Sequence, residues 1–260
     1  MNIETKETIY VIDIGNTSIH TCYINNGDLS DEYKRYKHGE ISLLPWEDIK
    51  KNNFTLVIAS QLAHMTDSVL NTAKEYRVNT VEVTTEKQTV IKDTYPTLGI
   101  DRICNLTAAI KLLQNNTSPI VVFDFGTATT VSACNKDGKF LGGIITTGCE
   151  TELKALSGHT FTLPHVEIAK EQKIEKLSVL TKNTEDAILH GAIAGQVALT
   201  EYFLTNFEKE IKQKPKIVFT GGNCQIISRF YKEKVDLIDP SLTVKGIYYC
   251  YKSIFQSLKA

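Results

Sequence analysis

The feature that most constrains this chain is one local pattern that occurs twice. T-I-Y-V-I-D-I-G-N-T-S, with its acid at Asp13, and P-I-V-V-F-D-F-G-T-A-T-T-V, with its acid at Asp124, are both short runs of β-branched and aromatic residues. Each stops at D-x-G, the pattern of a buried strand ending in a tight loop. The first run continues into a strand over 19–24 and a hairpin turn at Asn25-Asn26-Gly27. The second continues over 131–133, turns at Asn135-Lys136-Asp137-Gly138, and returns as a strand over 140–145. The same order of signals predicts an α/β chain made of two duplicated lobes, one over 1–115 and the other over 116–260. No Pro/Gly/Ser-rich linker separates them, so direct packing of the lobes is expected.

Between and after the two patterns, strands are predicted over 56–59, 80–83 and 217–220, and helices over 65–76, 101–113 and 184–211. An amphipathic stretch lies around Glu152 to Leu156, and helices close the chain. With 29 Lys+Arg against 30 Asp+Glu, no global basic field recruits nucleic acid. The start M-N-I-E-T-K-E-T and the short run after it suit neither an export signal nor a membrane span, which predicts a cytoplasmic protein. The six cysteines (Cys22, Cys104, Cys134, Cys149, Cys224, Cys250) form no C-x-x-C pair and no zinc spacing, so they read as buried thiols. The histidines form no H-E-x-x-H pair, and the Asn-x-Ser/Thr triplets at Asn16, Asn105, Asn115 and Asn116 carry no meaning without secretion.

The chemistry is concentrated in the loops. Asp13-Ile14-Gly15-Asn16-Thr17 places a carboxylate and a hydroxyl beside a glycine, which lets backbone N–H groups approach a metal-bound phosphate. The same residues also suit a plain β-turn. The second copy, Asp124-Phe125-Gly126-Thr127-Ala128-Thr129-Thr130, favours function, because two such loops facing each other across a cleft can hold a nucleotide's phosphates and cation. Neither loop is a Walker A or a G-x-G-x-x-G. Gly221-Gly222 is a third strand-to-glycine junction, read either as a bed for a flat ring or as a helix-entry turn. In Tyr95-Pro96-Thr97-Leu98-Gly99-Ile100-Asp101-Arg102, Pro96 and Gly99 shape a loop. One reading makes Asp101 a helix-start acid and Arg102 a surface residue. The other makes Asp101 a general base for a hydroxyl and Arg102 a donor fork for a substrate carboxylate.

D-I-G-N-T (13–17), L-G-I-D-R (98–102), D-F-G-T-A-T-T (124–130), L-G-G-I-I-x-x-G (141–148) and T-G-G-N (220–223), in this order, resemble type III pantothenate kinases over essentially the whole chain. The resemblance implies two ribonuclease-H-like lobes of the acetate/sugar kinase, Hsp70 and actin type around a nucleotide cleft. It implies phosphorylation of pantothenate by ATP, the first step of coenzyme A synthesis, in a homodimer needing Mg²⁺ and a monovalent cation, K⁺ or NH₄⁺. Carried over by residue, Asp13, Ile14, Gly15, Asn16, Thr17, Ser18, Ile19 and His20 become the ATP phosphate loop, with Asp13 near Mg²⁺ and Thr127 a further ATP contact. Gly99, Ile100, Asp101 and Arg102 belong to the pantothenate site, with Asp101 the proton acceptor. Thr184 matches a substrate-contacting threonine at a dimer interface, although it also suits a helix N-cap. Asp124 becomes the monovalent-cation ligand.

Three positions depart from the family pattern. His20 stands where Lys or Arg is common. Lys92 stands where a substrate-contacting Tyr is usual, which leaves Tyr95 as the candidate contact. Thr147 replaces a proline, which predicts a looser turn. Two rivals remain on the residues: a same-superfamily kinase for a sugar or another small hydroxy acid, and a non-catalytic nucleotide-binding regulator. The intact Asp13, Asp101 and Asp124 speak against the regulator. A neutral sugar would leave Arg102 without a carboxylate to hold.

Overall fold

A computed structural model describes residues 8–25, 28–30, 33–114, 117–168 and 174–257. The hairpin residues Asn26 and Gly27 and the triplets at Asn115 and Asn116 lie outside them. The chain forms two compact units. The first holds the described residues up to Gln114, Asp137–Phe140, and those from Ser241 onward; the second holds the described residues over 117–136 and Leu141–Pro240.

In the first unit, β1 (Thr8–Ile14) pairs antiparallel with β2 (Ile19–Asn25). Short β3 (Asp28–Leu29) and β4 (Lys34–Tyr36) add to β2. On the other side of β1, β5 (Thr55–Ser60) and then β6 (Thr80–Glu82) run parallel, giving the order β3-β2-β1-β5-β6. Strand residues alternate between faces. Tyr10, Ile12, Ile14, Ile19, Leu56 and Ile58 therefore face one core with Trp46 and Ile49 of α1 (Trp46–Lys51) and Met65, Val69 and Ala73 of α2 (Ala63–Tyr76). A 3₁₀ turn over His38–Leu43 precedes α1, and the Ile41 carbonyl accepts the Trp46 indole N–H at 2.9 Å. The opposite face of this sheet carries Ile9, Val11 and Asp13. It is covered by α3 (Ile100–Leu112) and, from the far end of the chain, by α7 (Leu242–Ser257).

The second unit repeats the plan. β7 (Ile120–Phe125) pairs antiparallel with β8 (Ala128–Cys134), β9 (Phe140–Thr147) follows, and β10 (Lys216–Thr220) and β11 (Leu237–Ile238) run parallel on the other side. The order is β11-β10-β7-β8-β9, which read from the β9 edge repeats the first sheet's β3-β2-β1-β5-β6. Val121, Phe123, Phe125, Val131, Ile217 and Phe219 pack with α4 (Cys149–His159), α5 (Thr184–Ile211) and α6 (Cys224–Phe230). This is the duplicated α/β architecture that the repeated motif predicts. One difference is α7: the sequence reading leaves it with the second lobe, whereas it belongs to the first unit. Its Gly246 explains the placement, since a Cβ there would strike the Cys104 backbone of α3. By length and composition α5 could cross a membrane, though 39 % of its most apolar window is buried. Ile188, Leu189, Ala192, Ile193, Gln196, Thr200, Leu204 and Phe207, spaced at helical intervals, are its buried side.

Candidate active site

The first unit gathers its polar side chains where β1 ends. Asp13 projects from the α3 face of the sheet, 14 % exposed, with its Oδ2 3.6 Å from Nδ1 of His20, its cross-strand partner. The other ring nitrogen of His20 lies 3.3 Å from Ser18 Oγ, and the ring stacks on Tyr33. The loop beyond Asp13 is closed on itself: Gly15 N–H donates to the Ser18 carbonyl at 3.0 Å, and His38 Nε2–H donates to the Gly15 carbonyl at 2.9 Å. The Gly15 amide is therefore directed inward, and Asn16 and Thr17 form the exposed rim. Ile14 and Ile19 turn their side chains into the opposite core, so anything they offer a ligand comes from the backbone.

Asp101 stands in the first turn of α3, after Gly99, the helix N-cap, and buried Ile100. Gln61 Nε2 donates to Asp101 Oδ1 at 2.5 Å. Burial, which disfavours the charged form, raises the carboxyl's proton affinity; the Asp13 charge adds to this, while the Arg102 backbone N–H and charge oppose it. Gly99 has an ordinary helical-side φ of −59°. Its lack of a Cβ matters sterically, because a Cβ would strike both Asp101 Oδ1 and Gln61 Nε2. Gln61 sits just past the end of β5, which runs parallel to β1, and the shared carboxyl end of those strands is the signal that could have found it.

Arg102 is 4 % exposed, which removes the surface reading. Its Nη1 donates to the Tyr95 hydroxyl at 3.0 Å, and its guanidinium lies 5.8 Å from the Phe140 ring centre. Tyr95 also meets Phe140 edge-on, at 5.9 Å between ring centres. Phe140 is held in this unit because its N–H donates to the Lys92 carbonyl, while Lys92 N–H donates to the Gly138 carbonyl, both at 2.9 Å. Lys92, in the place of the family's tyrosine, thus contributes its backbone here.

In the second unit Asp124 occupies the place of Asp13. Its cross-strand neighbours are Thr130 of β8 and Thr220 of β10. Thr220 Oγ1 is fully buried and has no hydrogen-bond partner among the described residues. Gly221, at φ +86°, leaves the space the carboxylate fills, since a Cβ there would strike Asp124 Oδ1. It also accepts the Cys224 N–H at 3.2 Å, so Gly221-Gly222 is a helix-entry turn. The loop after Asp124 is shorter than the sequence reading has it: β8 starts at Ala128, and the Thr129 hydroxyl donates to Gln196 inside the core at 2.7 Å. The Thr127 carbonyl accepts from Gly148 N–H at 3.1 Å and from Thr151 Oγ1 at 2.6 Å. At the end of β9, Gln196 Nε2 donates to the Thr147 carbonyl at 3.0 Å. Thr184 is the exposed first residue of α5; the cap itself is Asn183, whose side chain accepts the Asp186 N–H at 2.8 Å. All six cysteines are free and buried, and burial pushes the thiols of Cys22 and Cys134 up to about 12.

Comparison with solved structures returns the same architecture. A conserved protein assigned to the Baf family of transcriptional activators from Campylobacter jejuni matches with a TM-score of 0.60 and 18% identity, over 97% of this chain and 100% of the other. The ethanolamine utilization protein EutJ from Carboxydothermus hydrogenoformans matches at 0.56 and 14%, over 96% and 92%. The inorganic polyphosphate/ATP-glucomannokinase from Arthrobacter sp. strain KM matches at 0.51 and 12%, over 98% and 100%. At these identities the likeness concerns the fold. The sequence itself matches the type III pantothenate kinase profile over residues 9–206, a span that contains Asp13, Asp101 and Asp124; the chain belongs to that family of nucleotide-binding phosphotransferases.

Proposed function

We propose that this protein transfers the γ-phosphoryl group of ATP to the primary hydroxyl of pantothenate. The observation that carries the reading is Asp101, a carboxyl held by Gln61 at the start of a buried helix and made a better proton acceptor by its surroundings. The hydroxyl oxygen forms a bond to phosphorus, the bond from phosphorus to the β,γ-bridging oxygen breaks, ADP leaves, and Asp101 takes the hydroxyl proton. Gln61 fixes the carboxylate that receives it. Arg102 orients Tyr95, and the pair marks the side on which the substrate's carboxylate is recognised.

The residues present fit the cations that such a reaction uses. Asp13 is a partly exposed carboxylate beside the loop, enough for a Mg²⁺ that takes its other ligands from phosphates and water. A Mg²⁺ held there would supply neutralisation of the charge developing on the phosphates. Among the described residues no cluster of three His, Cys, Asp or Glu exists, in keeping with an ion carried in with the nucleotide. Asp124 with the partnerless Thr220 hydroxyl is an all-oxygen set suited to a monovalent cation such as K⁺. Thr220→Val is expected to abolish the rise in melting temperature that K⁺ produces over a non-binding cation; an unchanged rise removes Thr220 from that site. An exposed stripe on α5 of Ala187, Gly191, Gly195 and Ala198 supports a homodimer, which light scattering on the eluting protein tests.

ADP release measured with pantothenate, glucose, glycerol and acetate in parallel tests the substrate. Release with pantothenate alone is the expected result, dependent on Mg²⁺ and lost in excess chelator. Preference for glucose or glycerol would overturn the assignment.

A further inference from the structure

The first sheet carries a charged row that this reaction uses only in part. The antiparallel register sets Asp13 opposite His20, and His20 opposite Arg35 of β4. Partners in an antiparallel ladder project from the same face. The surroundings identify that face: Tyr33, two residues before Arg35, stacks on the His20 ring at 5.7 Å, and His20 meets Asp13 at 3.6 Å. The alternate residues, Ile19 and Tyr36, pack into the core on the other side of the sheet. Carboxylate, imidazole and guanidinium therefore stand in sequence on one face. Arg35 lies two strand spacings from Asp13, about 10 Å between Cα atoms, a gap that a polyphosphate chain and an arginine side chain span between them. The Arg35 residue is exposed, and no ion pair or hydrogen bond of its side chain with another described residue is present.

Besides Arg102, whose guanidinium is buried and donates to the Tyr95 hydroxyl, this corner carries two carboxylates. Asp13 and Asp101 are close enough for the charge of one to raise the proton affinity of the other, which opposes the approach of a tetra-anionic ligand. Arg35 is the permanent charge on the same row, with a fork suited to two phosphate oxygens.

We infer that Arg35 binds the phosphates of the nucleoside triphosphate, supplying a permanent positive charge on the row that begins at Asp13. This rests on the reading of the Asp13 loop as the phosphate loop, and the test separates the two. Dissociation constants for Mg·ATP and for adenosine are measured by calorimetry on the intact protein, its Arg35→Ala and Arg35→Lys variants, and Lys34→Ala, whose side chain projects from the other face of the strand. Arg35→Ala is expected to weaken Mg·ATP roughly tenfold, the lower end of what losing a charge-assisted hydrogen bond costs. Adenosine should bind unchanged, Arg35→Lys should recover part of the loss, and Lys34→Ala should behave as the parent. Unchanged Mg·ATP affinity in Arg35→Ala overturns the inference, as does an equal loss for adenosine, which would reveal a general distortion. A parent protein that binds Mg·ATP but releases no ADP with pantothenate overturns the substrate assignment and leaves the Arg35 measurement valid.

Discussion

A carboxylate that must take a proton from an alcohol is helped by anything that makes its charged form less comfortable, and the same influence costs stability. Asp101 has both sides of this. Burial and then the Asp13 charge raise its pKa in the folded protein, against a lowering by backbone N–H groups and Arg102. A folded pKa above the unfolded one means that the native state binds the extra proton, so stability is lost as pH rises through that interval. Asp101→Asn is therefore expected to lower turnover by roughly a hundredfold or more, leave ATP affinity nearly intact, and raise the melting temperature at neutral pH. Near-parental turnover would remove Asp101 as the base; a lower melting temperature would contradict the burial argument. Asp13→Asn should lower the Asp101 pKa, read by carbon NMR of the carboxyl. Gly99→Ala separates position from chemistry: at φ −59° the backbone accepts alanine, yet the new methyl must displace Asp101 or Gln61. Turnover should fall on the order of a hundredfold, as for an ångström-scale misplacement, while thermal stability changes little.

The element that carries Asp101 is held from behind. α7 crosses α3 so closely that Gly246 rests on the Cys104 backbone, one turn after Asp101, and Thr243 donates to Asn105 at 2.8 Å. Gly246→Ala forces backbone apart and is expected to destabilise by about 1–3 kcal/mol, measured by urea unfolding, with turnover falling as α3 shifts. Little of this support was legible in the sequence. α3 and α5 announce themselves by long helical periodicity, and the D-x-G strands by runs of buried residues, because those signals lie within one window of chain. The partnership of α3 with α7 joins residues more than a hundred positions apart, and no local pattern encodes it. α1 is too short for periodicity to register, and the 3₁₀ turn before it has none. The acid and arginine of L-G-I-D-R were visible as chemistry. Gln61 was not, because a lone amide after a strand looks like any loop residue until the parallel register of β1 and β5 sets their ends together.

At the scale of the molecule, two sheets share one strand order, and their central acids have diverged through their neighbours. Asp13 is flanked by His20 and Ala59, Asp124 by Thr130 and Thr220. The first acid thus has an imidazole and a methyl beside it and the second two hydroxyls, so one strand plan presents two different electrostatic surroundings. The two units are also interleaved along the chain, because α7 completes the first. A chain stopped after Pro240 is expected to lose the first unit's fold. The single tryptophan, Trp46, 2 % exposed in that unit, reports it: its emission should shift to the red in the shortened protein. Emission at the parental wavelength would show that α7 is dispensable there. On the ribosome the same interleaving reverses the order in which the units can mature. Every strand of the first sheet and α3 emerge early, yet α7, the other half of that face's helical cover, is the last described element to leave the exit tunnel. The first unit can therefore be completed only after the second unit, begun later, already has all its described elements.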